Sequence, residues 1–213
     1  MSELQITEIF RSIQGEGVLS GTPTTFIRLT GCNLHCSYCD TDYARKNGKS
    51  MTFQQIFETI EKYGGKYLTI TGGEPLLQNK VDELITGLCD KNYMVSVETN
   101  GCENISIIDK RAMTVMDIKT PDSGESGNNR YSNFQYLKPK DQIKIVICSQ
   151  TDYLWAKELI NNHSLDKTCN IILSPYEEKV SPQELAQWLI DDKVDLKMQI
   201  QLHKYLWGAE RRR

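Results

Sequence analysis

Three cysteines, Cys32, Cys36 and Cys39, form a C-x3-C-x2-C run within the segment from Gly31 to Thr41. Thiolates are soft donors that suit zinc or iron–sulfur clusters. Three of them on one loop can each hold one iron of a cubane and leave the fourth iron open to a substrate or cofactor. Structural zinc instead wants four donors closed around a single ion. The obvious fourth donor, His35, stands beside Cys36 inside the loop and cannot easily reach the same ion, whereas Cys102 or His203 could serve from further along the chain. The spacing therefore favours a site-open cluster, with closed zinc as the alternative. A second segment, Thr71-Gly72-Gly73-Glu74-Pro75, offers two glycines through which the polar end of a ligand can approach the backbone. A plain turn is its other reading.

Both segments need strand ends to hold them. A strand over Thr24 to Thr30 leads into the cysteine loop, and another over Lys66 to Thr71 leads into the glycine pair. Between them, Phe53, Ile56, Phe57 and Ile60 follow helical spacing, Thr52 and Gln55 make a capping box, and Gly64-Gly65 stops the helix. A second helix buries Val81, Leu84, Ile85 and Leu88. Strands over Tyr93 to Thr99, Met113 to Ile118, Gln142 to Cys148 and Asn170 to Leu173 follow, with a helix near Asp152 to Asn162. Ser181-Pro182-Gln183-Glu184 opens a further helix burying Leu185, Trp188 and Leu189, after which Leu196 to Leu202 reads as strand. Alternating strands and helices of this kind imply a parallel sheet covered by helices, with sites at the carboxyl ends of the strands.

A full eight-fold barrel takes about 250 residues. The 213 residues and roughly six strand–helix units here predict an α/β fold that is an incomplete barrel or an open sheet, formed as one domain over residues 1–213. The dozen residues between Thr99 and Met113 hold no helical period, and Thr120 to Tyr136 reads as a long loop rich in Asn, Ser, Gly and Asp.

Charge excludes some functions. With 25 Lys+Arg against 28 Asp+Glu, the chain has no basic footprint for nucleic acid, and Arg211-Arg212-Arg213 reads as a solvated end. No apolar run approaches the ~20 residues of a membrane helix, and the start, Met1-Ser2-Glu3, lacks the basic and apolar pattern of a secretory signal. The expectation is a cytoplasmic protein with a small-molecule partner. Seven cysteines, an odd number, argue against a disulfide framework, and Cys89, Cys102, Cys148 and Cys169 read as small buried hydrophobes.

Taken together, the cysteine loop with Tyr38 before its last thiol and the Gly-Gly-Glu-Pro segment resemble the radical S-adenosylmethionine enzymes. That resemblance implies a [4Fe-4S] cluster on Cys32, Cys36 and Cys39, with S-adenosylmethionine chelating the open iron. Reductive cleavage of the sulfonium then yields methionine and a 5'-deoxyadenosyl radical. No side chain need act as the catalyst, because cluster and cofactor carry the hard chemistry. The resemblance also implies a modified (β/α)6-type barrel with a shortened helix complement, and a cluster loop over residues 31–41.

A closer likeness runs along nearly the whole chain. Glu8 to Gly17, Phe26 to Cys32, Tyr38 to Thr41, Glu98 to Gly101 and Gln201 to Leu206 resemble the 7-carboxy-7-deazaguanine synthases. Members of that family convert 6-carboxy-5,6,7,8-tetrahydropterin to 7-carboxy-7-deazaguanine with loss of ammonia, on the route to queuosine. They require magnesium, are homodimers, and draw electrons from a donor such as flavodoxin or ferredoxin.

Residue by residue, this likeness implies pterin contacts at Ile13, Gln14, Gly15, Glu16, Arg28, Thr71, Glu98 and His203. It implies a magnesium ligand at Thr41. Cofactor contacts fall on Tyr38, Cys39, Asp40, Gly73, Glu74, Asp117, Ile118, Lys119, Ser174, Pro175, Tyr176 and Glu177. Many relatives carry Ser-Pro-Lys where this chain has Asp117-Ile118-Lys119. The chemistry suits these roles: an amide and a carboxylate can read a pterin's donor–acceptor edge, and a guanidinium fork suits a carboxylate. Bland readings remain beside them, namely a glycine turn at Gln14 to Gly17, a surface salt bridge for Arg28, a helix cap for Thr41, an arginine-paired buried Glu98 and a core His203. Two other functions also stay open, an activase that installs a glycyl radical on a partner protein and a zinc-stabilised binding module.

Overall fold

A computed structural model describes residues 2–208 together with Glu210 and Arg212. Met1, Ala209, Arg211 and Arg213 lie outside the described residues, so the solvated-end reading can be tested only at Arg212. That side chain, although two-thirds exposed, reaches back to Glu8.

The chain opens with a hairpin of β1 (Glu3–Ile13) and β2 (Pro23–Leu29), followed by β3 (Lys49–Thr52) and α1 (Phe53–Tyr63). Next come β4 (Tyr67–Gly72), α2 (Val81–Asp90), β5 (Met94–Thr99) and β6 (Met113–Ile118). The last third holds β7 (Gln142–Ile147), α3 (Gln150–His163), β8 (Asn170–Pro175), α4 (Pro182–Asp191), β9 (Lys197–Met198) and α5 (Leu202–Trp207). The strands form one sheet in the order β3-β1-β2-β4-β5-β6-β7-β8-β9. From β2 to β9 neighbours run parallel, whereas β1 is antiparallel to both β2 and β3. Different strands stand at the two edges, so the barrel is incomplete, as its length predicts.

Local signals set the helices. Thr52 and Gln55 make the capping box of α1, and Gly64 ends it at φ +64°. Ser181 and Glu184 do the same for α4, with Pro182 at the first helical position. Val81, Leu84, Ile85 and Leu88 are buried as the periodicity predicts, each contributing about 1.5–3 kcal/mol of burial. Trp188 is the exception in α4, packed against the core yet half-buried.

Two crossovers have no α-helix. β5 joins β6 through one turn at Ile105–Ile107, and β6 joins β7 through short turns at Pro121–Ser123, Ser126–Asn128 and Tyr131–Tyr136. The stretch expected to be a plain loop is thus ordered. A fully buried amide ties the two crossovers together: Asn133 donates to the carbonyls of Gly101 and Glu103, and its oxygen accepts from the Ile105 N–H.

Three features of the sheet were not given by the spacing alone. The strands are not continuously apolar: Ile143, Ile145 and Ile147 of β7 join the hydrophobic core, while Gln142, Lys144 and Val146 line a cavity on the other face. β1 is a long strand whose alternation buries Leu4, Ile6, Glu8 and Phe10. Leu196 to Leu202 is not a strand beyond Lys197–Met198. The chain leaves the sheet because Gln199 and Gln201 turn toward the β1–β2 loop and the Leu202 N–H donates to the Gly15 carbonyl.

Candidate active site

The concave face of the sheet encloses a cavity of about 530 Å³ at the carboxyl ends of the parallel strands. Cys32, Cys36 and Cys39 all line it, all three thiols are free, and burial pushes the Cys36 thiol up. The loop that carries them is held from several directions. Gly31 N–H donates to the Ala44 carbonyl, Ser37 bonds the backbone of Asp122 and Ser123, and the His35 N–H donates to Glu125. The ordered β6–β7 crossover is therefore a buttress of the cysteine loop. His35 points its ring at Arg45 instead of the thiols. Among the described residues, no three His, Cys, Asp or Glu side chains gather as they would around one metal ion. Three free thiols on one cavity wall, with the His35 ring turned to Arg45, are the donor set of an open-site cluster.

The glycine pair has a steric reason. A Cβ on Gly73 would lie 2.1 Å from the Gly31 carbonyl oxygen and 2.6 Å from Cys32 Cβ, so only glycine lets the end of β4 meet the cysteine loop. Glu74 departs from its expected role. Its carboxylate is wholly buried behind this contact, accepting from the Thr99 hydroxyl and from the backbone N–H groups of Asn100 and Leu76. Burial raises its pKa to about 7 despite those donors. It braces the strand end and does not line the cavity.

Alternation sorts the remaining cofactor candidates. Tyr38, Asp40, Asp117, Lys119, Ser174, Pro175 and Tyr176 line the cavity, whereas Ile118 packs into the core and Glu177 is exposed outside it. Asp117 Oδ2 pairs with Lys119 Nζ at 3.0 Å, and that ammonium stands 5.4 Å from the centre of the Tyr38 ring. Burial opposes the Lys119 charge, but the Asp117 carboxylate beside it outweighs burial and raises the lysine's pKa. Asp117 Oδ1, the Tyr38 hydroxyl and Ser174 Oγ are buried without a hydrogen-bond partner among the described residues. Buried polar atoms are normally paired. Three unpaired ones on one wall beside the cysteines fit a polar cofactor there.

The opposite wall is paired. Gln14 donates to Glu98 Oε1 at 3.1 Å and accepts from the Glu16 N–H, while Thr71 also bonds Glu98. Glu98 thus pairs with an amide and a hydroxyl, not with an arginine. Burial and the nearby Glu16 charge raise its pKa. Glu16 is itself bound by Lys144 and Gln201, and their pull outweighs burial, so its carboxyl sits below the ordinary range. Arg28 Nε donates to Glu8 Oε1 at 2.9 Å in a nearly buried pair, and the arginine still lines the cavity. Ile13 and Gly15 also line it. Thr41 lines the cavity at the start of the turn Asp42–Arg45 without making a side-chain cap. His203 is not at a strand end: it lies on α5, packed on Gly15 so closely that a Cβ there would overlap its ring.

Sequence reasoning missed Lys144, Gln142 and Asn100 on the cavity wall. A signal existed for two of them, because Gln142 and Lys144 alternate with isoleucines in a buried strand. Cys102, expected to be buried, is half-buried, and Cys89, Cys148 and Cys169 are buried as expected.

Residues 26–115, which hold the cysteine loop and the glycine pair, match the Radical SAM superfamily. Its backbone superposes on the crystal structure of QueE from Escherichia coli with a TM-score of 0.78, at 20% identity over 94% of this chain and 95% of that one. It is 40% identical to the 7-carboxy-7-deazaguanine synthase of Chlorobaculum tepidum over 98% of this chain and 96% of that protein. The synthase of Clostridium acetobutylicum is 39% identical over 98% of each. The chain belongs to the 7-carboxy-7-deazaguanine synthase family.

Proposed function

We propose that this protein converts 6-carboxy-5,6,7,8-tetrahydropterin to 7-carboxy-7-deazaguanine with loss of ammonia, a lyase step of queuosine biosynthesis. The observation that carries this reading is one cavity with a free three-thiol loop on one wall and a paired set of pterin-reading groups on the other. Full-length kinship with synthases supports it. The glycyl-radical activase is disfavoured, because a protein substrate has no need of Gln14, Glu16 and Arg28 gathered on one cavity wall.

When bound, a reduced [4Fe-4S] cluster with an open iron supplies the electron that cleaves the sulfonium of S-adenosylmethionine. In this reading Cys32, Cys36 and Cys39 hold the cluster. Asp117 Oδ1, Tyr38 and Ser174 supply polar contacts to the cofactor, joined by Asp40, Lys119, Pro175, Tyr176 and the backbone of Gly73. Ile13, Gln14, Gly15, Glu16, Thr71, Glu98 and His203 surround the heterocycle. Arg28 meets the substrate carboxylate: its Nε is held by Glu8, which leaves the rest of the fork for the ligand. Thr41, on the cavity wall, would supply one neutral oxygen to magnesium. The β1–β2 loop and the segment Gln199 to His203 meet at the cavity through bonds from Gln199 to Gly17 and from Gln201 to Glu16.

The reading extends to a cytoplasmic homodimer served by a flavodoxin- or ferredoxin-like donor. Seven free cysteines suit a reducing compartment, and no helix of the described residues is long and apolar enough to cross a membrane. Exposed Ile190, Tyr205 and Leu206 supply apolar surface for a second copy. The decisive experiment is anaerobic incubation of reconstituted, reduced protein with S-adenosylmethionine, magnesium and the tetrahydropterin. Mass spectrometry should find the deazaguanine; its absence from protein that still cleaves S-adenosylmethionine would overturn the assignment.

A further inference from the structure

Lys144 lies midway along β7 with its side chain on the cavity face. Acidic groups surround it: Glu16 from the β1–β2 loop, Glu98 from β5 and Asp117 from β6. Its ammonium bonds Glu16 Oε2, and Gln201 of the C-terminal segment donates to Glu16 Oε1. A carboxylate offers about four acceptor positions, so two remain on Glu16 after these bonds. The same loop brings Gln14 onto Glu98, so the two glutamates belong to one network but carry different partners.

We propose that Lys144 is a positioning residue for the pterin: its ammonium holds Glu16 as a carboxylate turned into the cavity, and Glu16 in that state accepts the N–H donors of the heterocycle. The inference rests on the functional reading above. Its logic is electrostatic. Two carboxylates in one buried network resist joint ionisation, and the group nearer a cation keeps its charge. Lys144 directs that charge to Glu16, while Glu98, hydrogen-bonded by the neutral Gln14 and Thr71 and facing the Glu16 charge, holds its proton more tightly than an ordinary carboxyl. The other charged or titratable groups facing this network are His203 on α5, packed on the Glu16 loop, and Arg28 on β2, which acts on Glu98.

Removing the ammonium leaves Glu16 half-buried beside Glu98 with Gln201 as its side-chain donor, so its proton should stay on toward neutral pH. Donor recognition then returns only as pH rises and Glu16 ionises. The probe is oxidised, unreactive 6-carboxypterin, titrated by fluorescence into reconstituted protein whose iron and sulfide contents match the parent. Lys144→Gln should weaken binding about 30-fold near neutral pH, with affinity recovering toward alkaline pH along a slope the parent lacks. Lys144→Arg should stay within about threefold of the parent, because it keeps the charge. In a Glu16→Gln background, Lys144→Gln should cost less than about threefold more, as expected of residues acting as one unit.

Additive losses, or a loss equal at every pH, mean that Lys144 does not act through Glu16 and overturn the inference alone. So does a Lys144→Arg protein as weak as Lys144→Gln. If the parent binds no carboxypterin at all, the functional reading falls and takes the inference with it.

Discussion

The two walls of the cavity satisfy their polar groups in opposite ways. Beside the cysteine loop, Tyr38, Asp117 and Ser174 each keep a buried polar atom without a partner among the described residues. Across from it, Gln14, Glu16, Glu98, Arg28 and Lys144 are bound to one another or to Glu8 and Gln201. The first wall is complete only with a ligand that brings its own donors and acceptors. The second is organised beforehand, with its amide, carboxyls, guanidinium and ammonium already held by protein partners. Pre-organised groups lose less freedom on binding, whereas unpaired ones store a desolvation cost that the ligand relieves.

The largest expected effect tests the first wall. Alanine at Cys32, Cys36 or Cys39 should abolish reductive cleavage of S-adenosylmethionine, measured as 5'-deoxyadenosine released, whereas Cys89→Ala should leave it intact. Equal losses would erase the distinction between the loop and a buried core thiol.

Glu74, which braces that wall, should mark stability. Its folded pKa of about 7 lies above the ordinary 4.5, so the folded state keeps a proton that the unfolded chain releases. The stabilisation is full below about pH 4.5 and is lost as pH rises through about 7, by up to about 3 kcal/mol. Urea unfolding of the metal-free protein across that window measures it. Thr99→Val, which removes the hydroxyl shared by both carboxylate oxygens, should extend the decline to higher pH. A pH-independent curve would assign Glu74 another environment.

On the second wall, Arg28→Ala should weaken pterin binding by about 1.5–3 kcal/mol while iron content is retained. Unchanged affinity would reduce the Arg28–Glu8 pair to scaffolding.

The smallest effects sharpen the contrast most directly. In protein without cofactor, Tyr38→Phe should be neutral or stabilising by about 1 kcal/mol, because it removes an unpaired buried hydroxyl. Gln14→Leu should destabilise by about 1–3 kcal/mol, because it strands the Glu98 carboxyl and the Glu16 N–H. Thermal melts of the two variants should therefore move apart; movement in the same direction would remove the difference between the walls.

Much of the fold was legible. The capping boxes at Thr52 and Ser181, the helix stop at Gly64 and the apolar faces of α1 and α2 are local signals, and each is present where the sequence predicts it. The strand over Leu196 to Leu202 was misread because its alternation is real, while the partners that draw Gln199 and Gln201 out of the sheet lie on a loop some 180 residues earlier. His203 moved from strand end to helix for the same reason. Glu74 was read as a cofactor contact because its motif is local, but its donors Thr99 and Asn100 come from the next strand and fix the carboxylate behind the wall.

The sequence by itself determined what is encoded within a turn or a strand: three thiols at cluster spacing, glycines where two backbones meet, and helix limits. Tertiary structure alone decided that Glu16 is pulled below and Glu98 pushed above the ordinary carboxyl range, which polar atoms go unpaired, and that Lys144 lines the cavity. Those outcomes depend on distances between segments far apart in the chain, and on burial that strengthens every electrostatic contact. Neither is written in the spacing of neighbouring residues.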